Sequence, residues 1–376
     1  MASFVSHGRL PDFALWEKIG NRRVPAEFTL EVTARCNNDC RHCYINLPAG
    51  DQPAQQKELS LAEITAIAGQ AVELGALWCL VTGGEPLLRL DFAEVYLALK
   101  RKGLLVSVFT NACLINAEHV RLFKQYSPRS IEVTVYGITQ ETYERVTRRH
   151  GSYAAFRRGL DLLLEAGINV HLKTIALRSN LAEFPAIAAF CRQYSAGLFR
   201  FDPLLHARYD GDPRRNEAIR EERLTPAEIA SLEQADEERA RALEQGCEKF
   251  FFPEGEGNDY CSHLFHCGAG NGSFSVSYDG LFRLCADLWH PACTYDLRRG
   301  SLAEAWNELV PVVRDMRSTN PVFLENCRRC PIVNLCLWCP ARAYLETEKM
   351  DGFSQYFCDV AHARAQAIQA RLKAKE

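Results

Sequence analysis

From residue 27 onward, short apolar runs alternate with amphipathic stretches. EFTLEVT (27–33), LWCLVTG (77–83), LLVSVFT (104–110), SIEVTVY (130–136), NVHLKTIAL (169–177) and LFRF (198–201) are rich in β-branched, aromatic and other apolar residues and read as strands. Apolar positions at helical spacing fill 59–75, 91–102, 116–126, 153–166 and 182–194. Ser60 with Glu63 three residues on forms a capping-box start, and Gly75, Gly103 and Gly167 fall where a helix should end before a strand. Alternation of this kind predicts a parallel sheet with right-handed crossovers. Eight units would close a full barrel at about 250 residues. The six here predict an α/β fold built as an open, partial (β/α)6 TIM-like barrel, with a doubly wound open sheet as the alternative. Either arrangement puts chemistry on the loops beyond the carboxyl ends of the strands.

The alternation stops after residue 205. Residues 206–260 are highly charged and read as helical, either a bridge over the barrel mouth or a solvated linker. Cysteines crowd the remainder. The pattern thus divides the chain into an N-terminal extension (1–26), the barrel (27–205), a charged helical bridge (206–260) and a cysteine-rich C-terminal domain (261–376). A net charge of −3 over 376 residues offers no overall basic field to nucleic acid. No apolar run reaches the roughly 18 residues that would span a bilayer. The N-terminus lacks the cationic start and apolar core of a secretory signal. These features predict a cytoplasmic protein with neither nucleic-acid nor membrane partners.

Composition changes the picture. Sixteen cysteines are many for a reducing compartment, where clustered thiols mean metal or redox chemistry rather than disulfides. Cys36, Cys40 and Cys43, spaced CxxxCxxC, directly follow the first strand. Three thiolates in one loop can wrap a face of a [4Fe–4S] cube and leave its fourth iron open. A three-cysteine zinc site completed by His42 is the alternative. After the second strand come Gly83, Gly84, Glu85 and Pro86, where the glycines admit close approach of a ligand to the backbone.

A CxxxCxxC loop followed one strand later by GGEP resembles the radical S-adenosylmethionine (SAM) enzymes. The resemblance implies that SAM binds the open iron, that the GGEP backbone and Glu85 receive its amino group, and that its cleavage yields a 5′-deoxyadenosyl radical. Thr110 and Asn111 end the third strand, and Glu132 and Thr134 share one face of the fourth. Within the resemblance Glu132 and Thr134 are candidates for SAM's ribose or carboxylate, Thr110 and Asn111 for other contacts with the cofactor, His42 and Tyr44 for packing on adenine, and Lys173 for pairing with a carboxylate at the barrel mouth.

The second half adds Cys267, Gly280 and Cys285, spaced Cx12Gx4C, then Cys327, Cys330, Cys336, Cys339 and Cys358. This pattern resembles the SPASM domain of radical SAM enzymes that modify peptides and proteins, and Cys261 supplies an eighth thiol. The resemblance, which runs from about residue 27 to 360, implies two saturated auxiliary [4Fe–4S] clusters. One would be held by Cys261, Cys267, Cys285 and Cys339, the other by Cys327, Cys330, Cys336 and Cys358. The Cys336–Cys339 spacing is one residue shorter than the family's. A zinc ribbon on Cys327, Cys330, Cys336 and Cys339 is the alternative, although ribbons separate their CxxC pairs by about 15–20 residues.

In sulfatase-maturating relatives an aspartate directly follows the cysteine matching Cys285. Here Ala286 stands there and Asp287 comes next. A strand-like backbone would turn these two to opposite faces, which argues against formylglycine formation and leaves Asp287 as a candidate catalytic base. The function these features predict is an oxidoreductase that abstracts hydrogen from a ribosomally made peptide and modifies it oxidatively. Sulfatase-like protein maturation and small-molecule oxidation, as in haem biosynthesis, are the alternatives. A non-catalytic iron–sulfur carrier would need no open iron. Expected partners are a peptide or protein substrate, a flavodoxin- or ferredoxin-type reductant and, with about 26 residues ahead of the barrel, a separate leader-binding protein unless the 206–260 segment takes that role.

Overall fold

The computed structural model describes residues 23–194, 199–248 and 262–374. Strands β1 (Glu27–Glu31), β2 (Trp78–Thr82), β3 (Leu105–Thr110), β4 (Ser130–Thr134), β5 (Val170–Ile175) and β6 (Arg200–Asp202) lie side by side and parallel. Spatial order follows chain order without reversal. A doubly wound sheet reverses at a switch point, so the partial barrel is the observed arrangement. Helices α1 (Leu61–Glu73), α2 (Phe92–Arg101), α3 (Ala117–Gln125), α4 (Gln140–Thr147), α5 (Ser152–Glu165) and α6 (Phe184–Tyr194) fill the crossovers. The period-2 alternation along the strands sorts the sheet's two faces. Val81, Val106, Val108, Ile131, Val133 and Leu172 belong to the main apolar core, whereas Glu132 and Lys173, on the other face, meet in the lumen.

Most element boundaries match the apolar pattern within two or three residues. The capping box at Ser60 forms as expected, and Gly75, Gly103 and Gly167 each adopt positive φ just past a helix end. Helix α4 has no counterpart in the sequence reading. Its residues QETYERVT are mostly polar; the cap at Thr139, which accepts from the Thr142 amide, and the buried Tyr143 and Val146 hold it in place.

Residues beyond 205 join the barrel more closely than the pattern implied. Strand β7 (Ser273–Val276) pairs parallel with the free edge of β1, and β8 (Leu281–Arg283) and β9 (Thr294–Asp296) extend the sheet antiparallel. Gly280, the glycine of the Cx12Gx4C spacing, takes φ +89° at the turn entering β8. Among the described residues the result is one nine-stranded sheet that crosses the boundary placed at residue 261. The charged stretch folds as α7 (Pro213–Glu222), α8 (Pro226–Ala235) and α9 (Glu237–Glu248). The C-terminal unit adds α10 (Pro340–Thr347) and α11 (Gln355–Lys373), and α8 locks to α11 through the buried Glu233–Arg364 pair at 2.7 Å. No described helix is long and apolar enough to cross a membrane.

Candidate active site

The loop after β1 carries the first cysteines. Arg35–Cys36 pairs with Leu47–Pro48, closing the loop on itself, and Cys43 N donates to Cys40 O at 3.2 Å. Cys36 and Cys40 are buried, and each of Cys36, Cys40 and Cys43 lies in the electrostatic field of the others. Burial pushes the Cys36 and Cys40 thiols up, and the Glu85 carboxylate adds to the effect at Cys36. Losing those protons therefore requires a cationic partner. None of the described cysteines forms a disulfide.

The GGEP turn lies directly beneath this loop. A Cβ on Gly83 would sit 2.1 Å from Thr33 O, and one on Gly84 would sit 2.3 Å from Arg35 O. Only glycine permits this contact. Pro86 opens a one-turn 3-10 helix, Pro86–Leu88. Glu85 is fully buried and accepts from Thr110 Oγ1 at 2.8 Å, Asn111 N at 2.7 Å and Leu87 N at 3.1 Å. Burial raises its pKa to about 7 against those three donors. Glu85 and Thr110 thus build the turn from inside, while Asn111 Nδ2 reaches Asn37 Oδ1 at 2.8 Å beside Cys36. His42 is buried, its ring centroid 5.2 Å from that of Tyr136, and burial lowers its pKa to about 4. Glu132 accepts from Lys173 and Arg200, each at 3.1 Å. Lys173, whose pKa burial lowers to about 8, lines with Thr134 a lumen cavity of about 490 Å³.

These donors suit a [4Fe–4S] cluster with SAM. The three free thiols share one loop packed on the GGEP turn, and the buried Asn37 Nδ2, Asn38 Oδ1 and His42 Nδ1 have no partner.

Cys327, Cys330, Cys336 and Cys358 face one another around a cavity of about 240 Å³, and burial, then the neighbouring thiols, raises Cys336 to about 12. Cys339 also borders that cavity and lies in the field of Cys285, which in turn feels Cys267. Cys261 is outside the described residues.

Residues 30–191 match the radical SAM superfamily. The chain carries a radical SAM domain. Over 316 residues it is 27% identical to the PqqA peptide cyclase of Gluconobacter oxydans, covering 81% of this chain and 82% of that one. It is 26% identical over 329 residues to the AdoMet-dependent heme synthase of Nitratidesulfovibrio vulgaris, covering 84% and 87%. Its fold resembles Streptococcus suis SuiB bound to precursor peptide SuiA, with a TM-score of 0.66 at 16% identity over 92% of this chain and 78% of SuiB.

At the mouth of the radical SAM domain the structure reveals partners that the sequence reading missed. Residues 285–288 form a turn closed by Leu288 N to Cys285 O at 3.2 Å, not the extended backbone expected, so Ala286 and Asp287 do not alternate as in a strand. The Ala286 carbonyl accepts from Arg283, and Asp287 turns to His206 at 3.5 Å and Arg342 at 3.4 Å. Burial disfavours its charge, but His206 and Arg342 override it and hold the carboxyl well below the usual range. Burial likewise opposes the charged form of His206, yet Asp287 raises its pKa above the ordinary value. Tyr44 packs on His206, ring centroids 5.4 Å apart. His206 follows the carboxyl end of β6, where barrel chemistry is expected; that position was the available signal. Cys113 and Cys293 are buried, the second against Met316 and Met350 at 3.8 and 3.7 Å.

Proposed function

We propose that this radical SAM enzyme oxidatively modifies a ribosomally made peptide, by crosslinking or a related C–H step. The observation that carries the reading is the link between the Cys36–Cys40–Cys43 loop and the turn after Cys285, made by Tyr44 on His206 and His206 on Asp287. SAM on a reduced [4Fe–4S] cluster supplies, when bound, a carbon radical able to take hydrogen from an unactivated C–H bond. Cys36, Cys40 and Cys43 would hold that cluster, with Gly83, Gly84 and Pro86 shaping the SAM floor and Glu132, Thr134 and Lys173 bordering the lumen.

A substrate that has lost a hydrogen atom must next lose one electron and one proton to be oxidised by two hydrogens in all. Two auxiliary clusters would take the electron, one on Cys261, Cys267, Cys285 and Cys339, the other on Cys327, Cys330, Cys336 and Cys358. The facing thiols of the second group and the Cys285–Cys339 proximity support this division. For the proton, Asp287 alone is a weak acceptor, because the Arg342 cation and the hydrogen-bonding His206 ring stabilise its charge. The Asp287–His206 pair is the better candidate, with the imidazole taking the proton and Asp287 stabilising the resulting charge. A flavodoxin- or ferredoxin-type reductant and a separate leader-binding protein complete the proposal.

Mass spectrometry of short peptides encoded beside this gene, each co-expressed anaerobically with it, tests the reading. A peptide lighter by two hydrogens only when Cys36, Cys40 and Cys43 are intact is the expected result. Unaltered peptides from an enzyme that still cleaves SAM would favour a small-molecule substrate, in line with the similarity to a heme synthase.

A further inference from the structure

Residues 206–212 begin the charged stretch that reads as either a bridge over the barrel mouth or a solvated linker, and within it Arg208 is only 1% exposed. Its Nη1 donates to Cys43 O and to Asn46 Oδ1, each at 3.0 Å. Its Nε and Nη2 bind Asp210 at 3.0 and 2.7 Å, and its own amide donates to the buried Asn216 at 2.7 Å. The guanidinium therefore has a fixed geometry, and the Cys43 thiol contributes to the field it experiences. On either side of it, His206 touches Tyr44 and Asp287, and Tyr209 stacks on Trp289 with centroids 4.3 Å apart. The strap thus passes between the first cysteine loop and the turn after Cys285, and Arg208 is its buried contact with a cysteine of the first loop.

We propose that Arg208 is a positioning residue for the SAM-binding cluster, fixing the Cys43 peptide and raising the cluster's reduction potential. The inference rests on the cluster assignment to Cys36, Cys40 and Cys43. A buried guanidinium is always charged. Reducing a cluster adds negative charge, so a fixed cation beside one of its ligands favours the reduced form, and hydrogen bonding around the ligands acts in the same direction. Asp210 moderates the effect by neutralising part of that charge.

The test uses the full chain with all clusters reconstituted, and reads the electron paramagnetic resonance signal that changes on SAM addition together with its midpoint potential. Arg208→Gln removes the charge and should move the SAM-responsive cluster to a more negative potential. Arg208→Lys keeps the charge without the fork and should stay near the parent potential, with a broadened SAM-responsive signal. Asp210→Asn strips the counter-charge and should move the potential the opposite way, which preserves the test if Arg208→Gln does not fold. Potentials and line shapes equal to the parent's in Arg208→Gln, or in Asp210→Asn where Arg208→Gln does not fold, would overturn the inference. Absence of any SAM-responsive signal in the parent would instead overturn the cluster assignment beneath it.

Discussion

Arg283 of β8 reaches past β7 to Glu31 of β1, and neither side chain is exposed. The same guanidinium stacks on Trp289 at 3.7 Å and donates to the Ala286 carbonyl, so one residue ties the sheet to the turn after Cys285. Burial raises the Glu31 pKa despite the paired arginine. Removing one partner strands the other charge in the core. Arg283→Met is therefore expected to cost about 3–5 kcal/mol, and Glu31→Met/Arg283→Met to cost less than that single change. Urea unfolding of the three variants measures the difference; a double variant worse than Arg283→Met would contradict it.

Gly84 has no room for a methyl group, because the Arg35 and Ala34 carbonyls stand 2.3 and 2.5 Å from where it would lie. Gly84→Ala should destabilise the chain by about 2–3 kcal/mol through forced displacement of the cysteine loop. SAM binding, followed by equilibrium dialysis, should weaken with it. Unchanged dialysis would separate the GGEP turn from the SAM site.

His42 gives a pH signature. With a folded pKa near 4, the unfolded chain binds a proton between about pH 4 and 6.5 that the folded chain does not. Stability from this group is complete above that window and is lost as pH falls through it, by about 3 kcal/mol in all. His42→Phe keeps the packing on Tyr136 and should flatten the parent's rise in urea midpoint between pH 4 and 6.5. An equally steep rise in the variant would show that His42 is not the group responsible.

Asp287→Asn keeps the shape of the turn but removes the charge that His206 and Arg342 face. Product formation should fall by about two orders of magnitude while SAM cleavage continues. Coupled assays of product and cleaved SAM distinguish this from a general loss of fold, which would lower both.

The two auxiliary groups can be separated by iron counting. Cys336→Ala and Cys358→Ala should each release about four irons, and combining them should release no more, because one cube is lost in either case. Cys336→Ala combined with Cys339→Ala should release about twice as many. Equal losses from the two double variants would place Cys339 in the same cluster as Cys336.

Much of this was legible because the signals were local. The six barrel strands announce themselves by apolar runs, and Cys36, Cys40, Cys43 and the GGEP glycines by spacing. What escaped depended on long-range packing. Arg208 sits in a charged run whose composition leaves a bridge and a solvated linker both open, and its burial follows from contacts with Cys43 and Asn46 more than 160 positions away. His206 and Arg342 meet Asp287 from separate segments, so no window of sequence holds all three. Strand β7 reads as a short segment of a cysteine-rich domain, and nothing local marks it as the next strand beside β1. The turn at 285–288 shows the converse: extrapolating the alternation of β8 beyond its end misplaced Ala286 and Asp287.

Because β7 completes the hydrogen-bonding edge of β1, dividing this protein between its halves is not a neutral cut. A fragment ending near residue 248 would present a bare row of amide and carbonyl groups from Glu27 to Leu30, flanked by apolar side chains that Phe274 and Val276 now cover. Such an edge invites pairing with a second copy. The fragment should precipitate or self-associate, and fusion partners or affinity tags are better placed at the chain's ends than at the apparent domain boundary.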